Sequence, residues 1–202
     1  IDPGHQEKGD KRGEPVGPGS NIKKARVSSG TKGVATKKYE YVVNLEASLI
    51  LKDILYEKGY NVIMTREKSD VNISNIERAE VGNRNNADLV VRIHADSCED
   101  SSVNGASIHV PANNEYTKDF YEISKLYGMK IINTYADEVG IKNRGVIERN
   151  DLTGFNWSKV PVVLVEMGFL SNKEDDIFVS NTDNHYKISK AIADGIYKCF
   201  EK

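Results

Sequence analysis

Three apolar runs in this chain each close on a residue with ligating or acid–base chemistry: Ile-Asp-Pro-Gly-His at 1–5, Val-Arg-Ile-His-Ala-Asp at 91–96 and Val-Leu-Val-Glu-Met-Gly-Phe at 163–169. His5, His94 and Glu166 therefore sit where buried strands give way to loops. Strand ends far apart in sequence converge in space when strands join one sheet, which is how α/β folds assemble metal or catalytic sites. A histidine at a strand end also serves as a hydrogen-bonded turn residue, and a carboxylate there also caps backbone N–H groups, so placement alone leaves both readings open.

The intervening chain alternates between helical and extended patterns. Val43, Ala47, Ile50, Leu51 and Ile54 recur at helical spacing from about residue 38 until Gly59 stops the run, and Glu40 lies on the same inward stripe in the first turn. Strands are expected at 61–65, 89–94, 105–110, 146–148 and 161–165, the last apolar throughout and so buried on both sheet faces. Helices are expected at 72–86, 116–138 and 184–200, the last carrying Ile188, Ala191, Ile192, Gly195, Ile196 and Cys199 on one stripe. Residues 6–37, rich in Gly, Lys, Ser and Pro and without apolar periodicity, read as one long loop near the site. This order implies an α/β fold: one domain over residues 1–202, with a central, twisted, mostly parallel or mixed sheet flanked by helices and a metal site at the C-terminal ends of its strands.

With 202 residues and 39% hydrophobic content the chain can bury one substantial core. A formal charge of −2 exerts no global pull toward nucleic acid or an acidic membrane, and no apolar stretch approaches the roughly 20 residues of a membrane span. The two cysteines, Cys98 in a polar loop and Cys199 in the last helix, form no framework spacing. Ile1 enters what reads as the end of a strand, so upstream residues are expected, and the missing signal peptide says nothing about export. A monomer is expected.

Two histidines and a carboxylate are the usual protein share of a catalytic zinc site. His5 and His94 are the best placed histidines; His109, inside a strand, and His185, near a helix start, read as structural. Asp2 and Asp96, beside the two histidines, are candidates to orient an imidazole or to cap turns. Arg144 is a candidate for a substrate carboxylate, and Lys23, Lys24, Arg26, Lys32, Lys37 and Lys38 for anionic polymers, with a solvated surface as the alternative for each. Trp157 and Phe155 are candidates to pack on sugar rings or to plug a core edge, and Cys98 is a stray thiolate candidate.

The segments IDPGH, EYVVNLEASLIL, YNVIMTRE, ERAEVGNRNNADLVVRIHAD, NGASIHVP, NRGV and VPVVLVEMGFLSN, in this order and over nearly the whole chain, resemble the zinc-dependent N-acetylmuramoyl-L-alanine amidases of type 3. These enzymes cut the bond between lactyl-muramic acid and the peptide stem of peptidoglycan. The resemblance implies one Zn²⁺ held by His5, Glu40 and His94, with Glu46 a second choice to Glu40, and Glu166 as the base and then the acid of amide hydrolysis. It implies peptidoglycan as substrate, anionic wall polymers as further partners, and an extracellular or cell-wall location. The Gly-Gly that often follows the first histidine is Gln6-Glu7 here, the loop to Glu40 is longer, and Asp-Leu-Thr-Gly-Phe-Asn-Trp-Ser-Lys-Val-Pro stands before the last strand, so a rebuilt rim is expected. Two rival readings use the same residues: a zinc peptidase acting on the stem peptide, and a wall-binding module that keeps the fold without catalysis.

Overall fold

In the computed structural model, which describes residues 1–201, the sheet-forming strands are β1 (Asp2–Pro3), β4 (Val90–Asp96), β5 (Ala106–Pro111), β6 (Asn143–Arg149) and β7 (Val162–Phe169), while β2 (Asp10–Pro15) and β3 (Lys23–Val27) stand apart. The helices are α1 (Glu40–Glu57), α2 (Asn75–Arg84), α3 (Tyr121–Val139), α4 (Thr153–Asn156), α5 (Lys173–Ser180) and α6 (Thr182–Phe200). The five strands lie in the order β1, β4, β7, β5, β6, all parallel to their neighbours except for the antiparallel pair β5 and β7. The expected mixed α/β sheet is the sheet observed.

Alternation along the strands decides which layer each residue faces. Val91, Ile93 and Ala95 of β4, Val163, Val165 and Met167 of β7, and Ala106, Ile108 and Val110 of β5 enter the main core against α1, α3 and α6. Their neighbours in sequence point to the other face, where Val90, Val162 and Leu164 meet Phe120 and Phe155 in a smaller core. Beyond that apolar patch the second face carries Arg92, His94, Glu166, Ser107 and His109. The helices form where their ends are satisfied: Ser74 and Glu77 make a reciprocal capping box at α2, and Gly140, at φ 78°, closes α3 in the left-handed conformation.

Four expectations change. Residues 6–37 contain the antiparallel hairpin of β2 and β3 rather than an unbroken loop. Residues 61–65 form no ladder, although the Thr65 N–H donates to the Ile1 carbonyl at 3.0 Å. α4 and α5 are additional helices, and α3 begins at Tyr121 because turns anchored on Asn114 occupy the residues before it. No helix among the described residues is long and apolar enough to cross a membrane.

One buried ion cluster ties β1 to its surroundings. Asp2 accepts from Arg78 Nη1 of α2 at 2.7 Å, from Arg92 Nε of β4 at 2.8 Å and from the Thr65 hydroxyl at 2.6 Å. Burial would raise its pKa, but the charges of Arg78 and Arg92 prevail and hold the carboxyl well below the usual carboxylate range. Removing one member of such a cluster leaves buried charge uncompensated, at a cost of about 3–5 kcal/mol. Asp2→Ala is expected to lose stability in that range by urea unfolding; a loss under about 1 kcal/mol would assign the fixing of β1 to something else.

Candidate metal and hydrolytic site

β1 runs directly into His5, β4 carries His94 near its end, and the first turn of α1 supplies Glu40. Glu40 Oε1 lies 3.0 Å from His5 Nε2 and 3.2 Å from His94 Nδ1, and the two imidazoles stand edge to face with centroids 4.7 Å apart. The other carboxylate oxygen accepts from the Thr31 N–H at 3.0 Å. His5 holds a left-handed backbone, φ 61°, which an L-residue adopts only at a cost. The surrounding arginines hold that turn: Arg66 donates to the carbonyls of Pro3 and Gly4, and Arg78 to those of Pro3 and His5.

These atoms fit a cation. His5 Nδ1 faces the Ser28 carbonyl at 3.1 Å, and a carbonyl only accepts, so the proton of a neutral ring resides on Nδ1. The bare Nε2 lone pair is then turned toward a carboxylate oxygen, an arrangement a shared cation makes favourable. Two donors held tetrahedrally on one zinc ion at about 2.1 Å are roughly 3.4 Å apart, near the observed spacings. Two imidazole nitrogens and one carboxylate oxygen are a donor set that suits zinc. Burial, opposed by Glu40 and helped by the Arg92 charge, pushes the His94 pKa down to about 4, keeping the ring in the neutral form that can bind a metal. For Glu40, burial acts upward, but the two imidazoles beside its carboxylate outweigh it and hold the group ionised.

A second group of polar residues adjoins the first. Glu166 lies in register between His94 of β4 and Ser107 of β5, so the three side chains form a row on one face of the sheet. His94 Nε2, Glu166 Oε2 and Ser107 Oγ are each buried with no hydrogen-bond partner among the described residues. Buried polar atoms are ordinarily paired, so three unpaired ones in one cross-strand row mark a surface shaped to meet another molecule. Burial, reinforced by the charges of Asp96 and Glu40, raises the Glu166 pKa well above the usual carboxylate value, against the opposing pull of Arg149 and Arg92. Single polar atoms of Asp96, His109 and Glu166 lie within 4.8 Å of one another.

Of the residues singled out from sequence, His5, Glu40 and His94 are thus brought together, with Glu166 next to them. Glu46 instead pairs with Lys38 on the outer side of α1, beside His185, whose Nε2 bonds the Val179 carbonyl. Asp2 bonds arginines, not a histidine, whereas Asp96 joins the Glu166 group. Lys24, Arg26 and Lys38 are engaged in ion pairs with Asp151, with Asp10 and Glu77, and with Glu46. Trp157 donates its indole N–H to the Pro15 carbonyl, Phe155 is wholly buried, and Arg144 lies over the Phe169 ring. Cys98 lies outside both groups. Sequence reasoning passed over Ser28 and Arg149 and gave His109 no role.

A family model described as N-acetylmuramoyl-L-alanine amidase matches residues 1–198. A probable cell wall amidase, LytH, of Staphylococcus saprophyticus is 26% identical over 202 residues, covering 100% of this chain and 58% of that protein. The chain therefore spans little more than half the length of that relative. The uncharacterized protein YqiI of Bacillus subtilis is 28% identical over 164 residues, 81% of this chain and 76% of that one. Among solved structures, the N-acetylmuramyl-L-alanine amidase Ami1 of Mycobacterium smegmatis aligns with TM-score 0.87 at 25% identity, over 98% of this chain and 94% of that one. The N-acetylmuramoyl-L-alanine amidase AmiC2 of Nostoc punctiforme aligns with TM-score 0.76 at 27% identity, over 98% and 93%.

Burial, with the Arg149 charge, brings the His109 pKa down from 6.5 to about 4. Between those values the unfolded chain binds a proton that the folded protein does not, so this residue's effect is to make stability fall as pH drops through that window. NMR titration is expected to show the His109 imidazole neutral down to about pH 4. The loss of unfolding free energy between neutral and acid pH is expected to be smaller in His109→Phe, which has no ring nitrogen to protonate; an equal loss would locate the pH dependence elsewhere.

Proposed function

The chain belongs to the N-acetylmuramoyl-L-alanine amidase family, and from that premise we propose that it hydrolyses the amide between N-acetylmuramic acid and the L-alanine of the peptidoglycan stem. The observation that carries the reading is the meeting of His5, Glu40 and His94 on one carboxylate oxygen, with buried Glu166 in register beside His94. In this reading His5 Nε2, Glu40 Oε1 and His94 Nδ1 hold one zinc ion. When bound, such an ion polarises the amide carbonyl and lowers the pKa of a water.

The remaining chemistry falls to the protein. Glu166 takes a proton from the attacking water as the carbon–oxygen bond forms. It then delivers that proton to the nitrogen of L-alanine as the carbon–nitrogen bond breaks, leaving a lactyl carboxylic acid and a free amine, which at neutral pH become carboxylate and ammonium. A carboxylate whose pKa lies above its ordinary value is a better base than an exposed one and returns the proton readily at neutral pH. Ser28 fixes the His5 tautomer, and Arg92, on the same sheet face, favours neutral His94. The reading places the activity at the cell wall, outside the cell, on a monomer.

Glu166→Gln is expected to retain its metal and to lose about 10²- to 10⁴-fold in kcat, the usual worth of a positioned acid–base group. His94→Ala is expected to lose the metal itself. Metal analysis paired with mass spectrometry of digested muropeptides checks both: the amidase reading requires an intact stem peptide with a free L-alanine amine. Cleavage within the stem would instead mark a peptidase, and an active Glu166→Gln would remove that residue from the proton transfer.

A further inference from the structure

The polar group around Glu166 contains a histidine to which the reaction above assigns no part. His109 is buried on β5, two residues from Ser107 and on the same sheet face, and its Nδ1 faces Arg149 Nη1 at 3.5 Å. A guanidinium offers only N–H groups, so a proton on Nδ1 would point at another donor. The favoured tautomer therefore carries its proton on Nε2. Arg149 is held in place by Asp151, which accepts from its Nε at 2.8 Å and its Nη2 at 3.0 Å.

One polar atom from each of Asp96, His109 and Glu166 lies within 4.8 Å of the other two. Separations up to that limit are ones that two hydrogen bonds of about 2.8 Å, meeting at one point, can span. The chemistry at that point matches one water molecule: its two protons go to the carboxylates of Asp96 and Glu166, and a lone pair accepts from His109. A cation there is less well served, because one nitrogen of His109 faces a guanidinium and the other bears a proton.

We propose that His109 is a positioning residue for Glu166, its Nε2–H acting through one bridging water on one oxygen of the Glu166 carboxylate. The water relieves the repulsion between Asp96 and Glu166 and fixes the orientation of the Glu166 carboxylate, leaving its other oxygen free for the reacting proton. The inference rests on Glu166 being the proton-transfer group.

The test compares metal-loaded wild type, His109→Phe, His109→Gln and Glu166→Gln on a soluble muropeptide. His109→Phe is expected to lower kcat by about 10- to 100-fold with KM little changed and metal content unaltered. His109→Gln, whose amide nitrogen can donate, is expected to recover most of that loss. Wild-type kcat in His109→Phe beside an inactive Glu166→Gln overturns the role of His109 and leaves that of Glu166 standing. Full activity in Glu166→Gln overturns the underlying reading. Loss of one metal equivalent in His109→Phe overturns the inference in favour of a second cation. In the unaltered protein, long-range nitrogen–proton NMR is expected to find His109 with its proton on Nε2; a proton on Nδ1 at neutral pH overturns the proposal without recourse to a variant.

Discussion

The carboxylate of Asp2, buried between two guanidiniums, is the contact on which the site's geometry depends. Arg78 comes from α2 and Arg92 from β4, so this one side chain joins the short edge strand to a helix and to the central sheet. The same Arg78, helped by Arg66, bonds the carbonyls of the turn that carries His5, and Arg66 also reaches the Tyr41 carbonyl at the start of α1. His5 and Glu40 are thus fixed relative to each other through shared arginines as well as directly. The left-handed backbone at His5 costs on the order of 1–2 kcal/mol, less than the charged hydrogen bonds to that turn return.

Close approach then completes the site. A Cβ at Gly4 would lie 2.2 to 2.6 Å from atoms of the His94 ring, and one at Gly30 would lie 2.5 Å from Glu40 Oε2. Only the absence of side chains at these two positions lets a strand end press against the His94 ring and a loop against Glu40 and His5. Arg92 shares the sheet face of His94 and Glu166 and acts on both: it helps to keep His94 neutral while it moderates the rise in the Glu166 pKa.

His5, His94 and Glu166 were legible because each ends or interrupts an apolar run, and the burial of those runs is what brings the three together. Glu40 was legible from its place on the buried stripe of α1, and the family pattern separated it from Glu46. The hairpin was not, since Asp-Lys-Arg-Gly-Glu-Pro shows no alternation and Lys-Lys-Ala-Arg-Val alternates over only four residues, with a single buried side chain, Val27. It is held by ion pairs and by the Trp157 indole, contacts that leave no periodic trace. α5 was hidden by its acidic sequence, although Asp176 is buried and binds the loop at Ala35 and Thr36. For His109 a signal did exist: in Ala-Ser-Ile-His-Val the polar residues alternate with apolar ones that face the main core, so Ser107 and His109 share the opposite face.

The hairpin bears on the chemistry through the same chain of contacts. Lys24 of β3 donates to both the carboxylate and the carbonyl of Asp151, Asp151 holds Arg149, and Arg149 faces His109. An exposed pair such as Lys24 with Asp151 contributes little stability, about 0–1 kcal/mol. Its consequence is positional, because it joins the lengthened segment between His5 and Glu40 to the residues preceding β7, the two places where the chain departs from the shorter family pattern. On the opposite side Arg26 pairs with Glu77, and the Asn75 amide donates to the Arg26 carbonyl, so α2 braces the hairpin as well. The two departures in sequence therefore meet as one braced wall, joined through Lys24, Asp151 and Arg149 to His109.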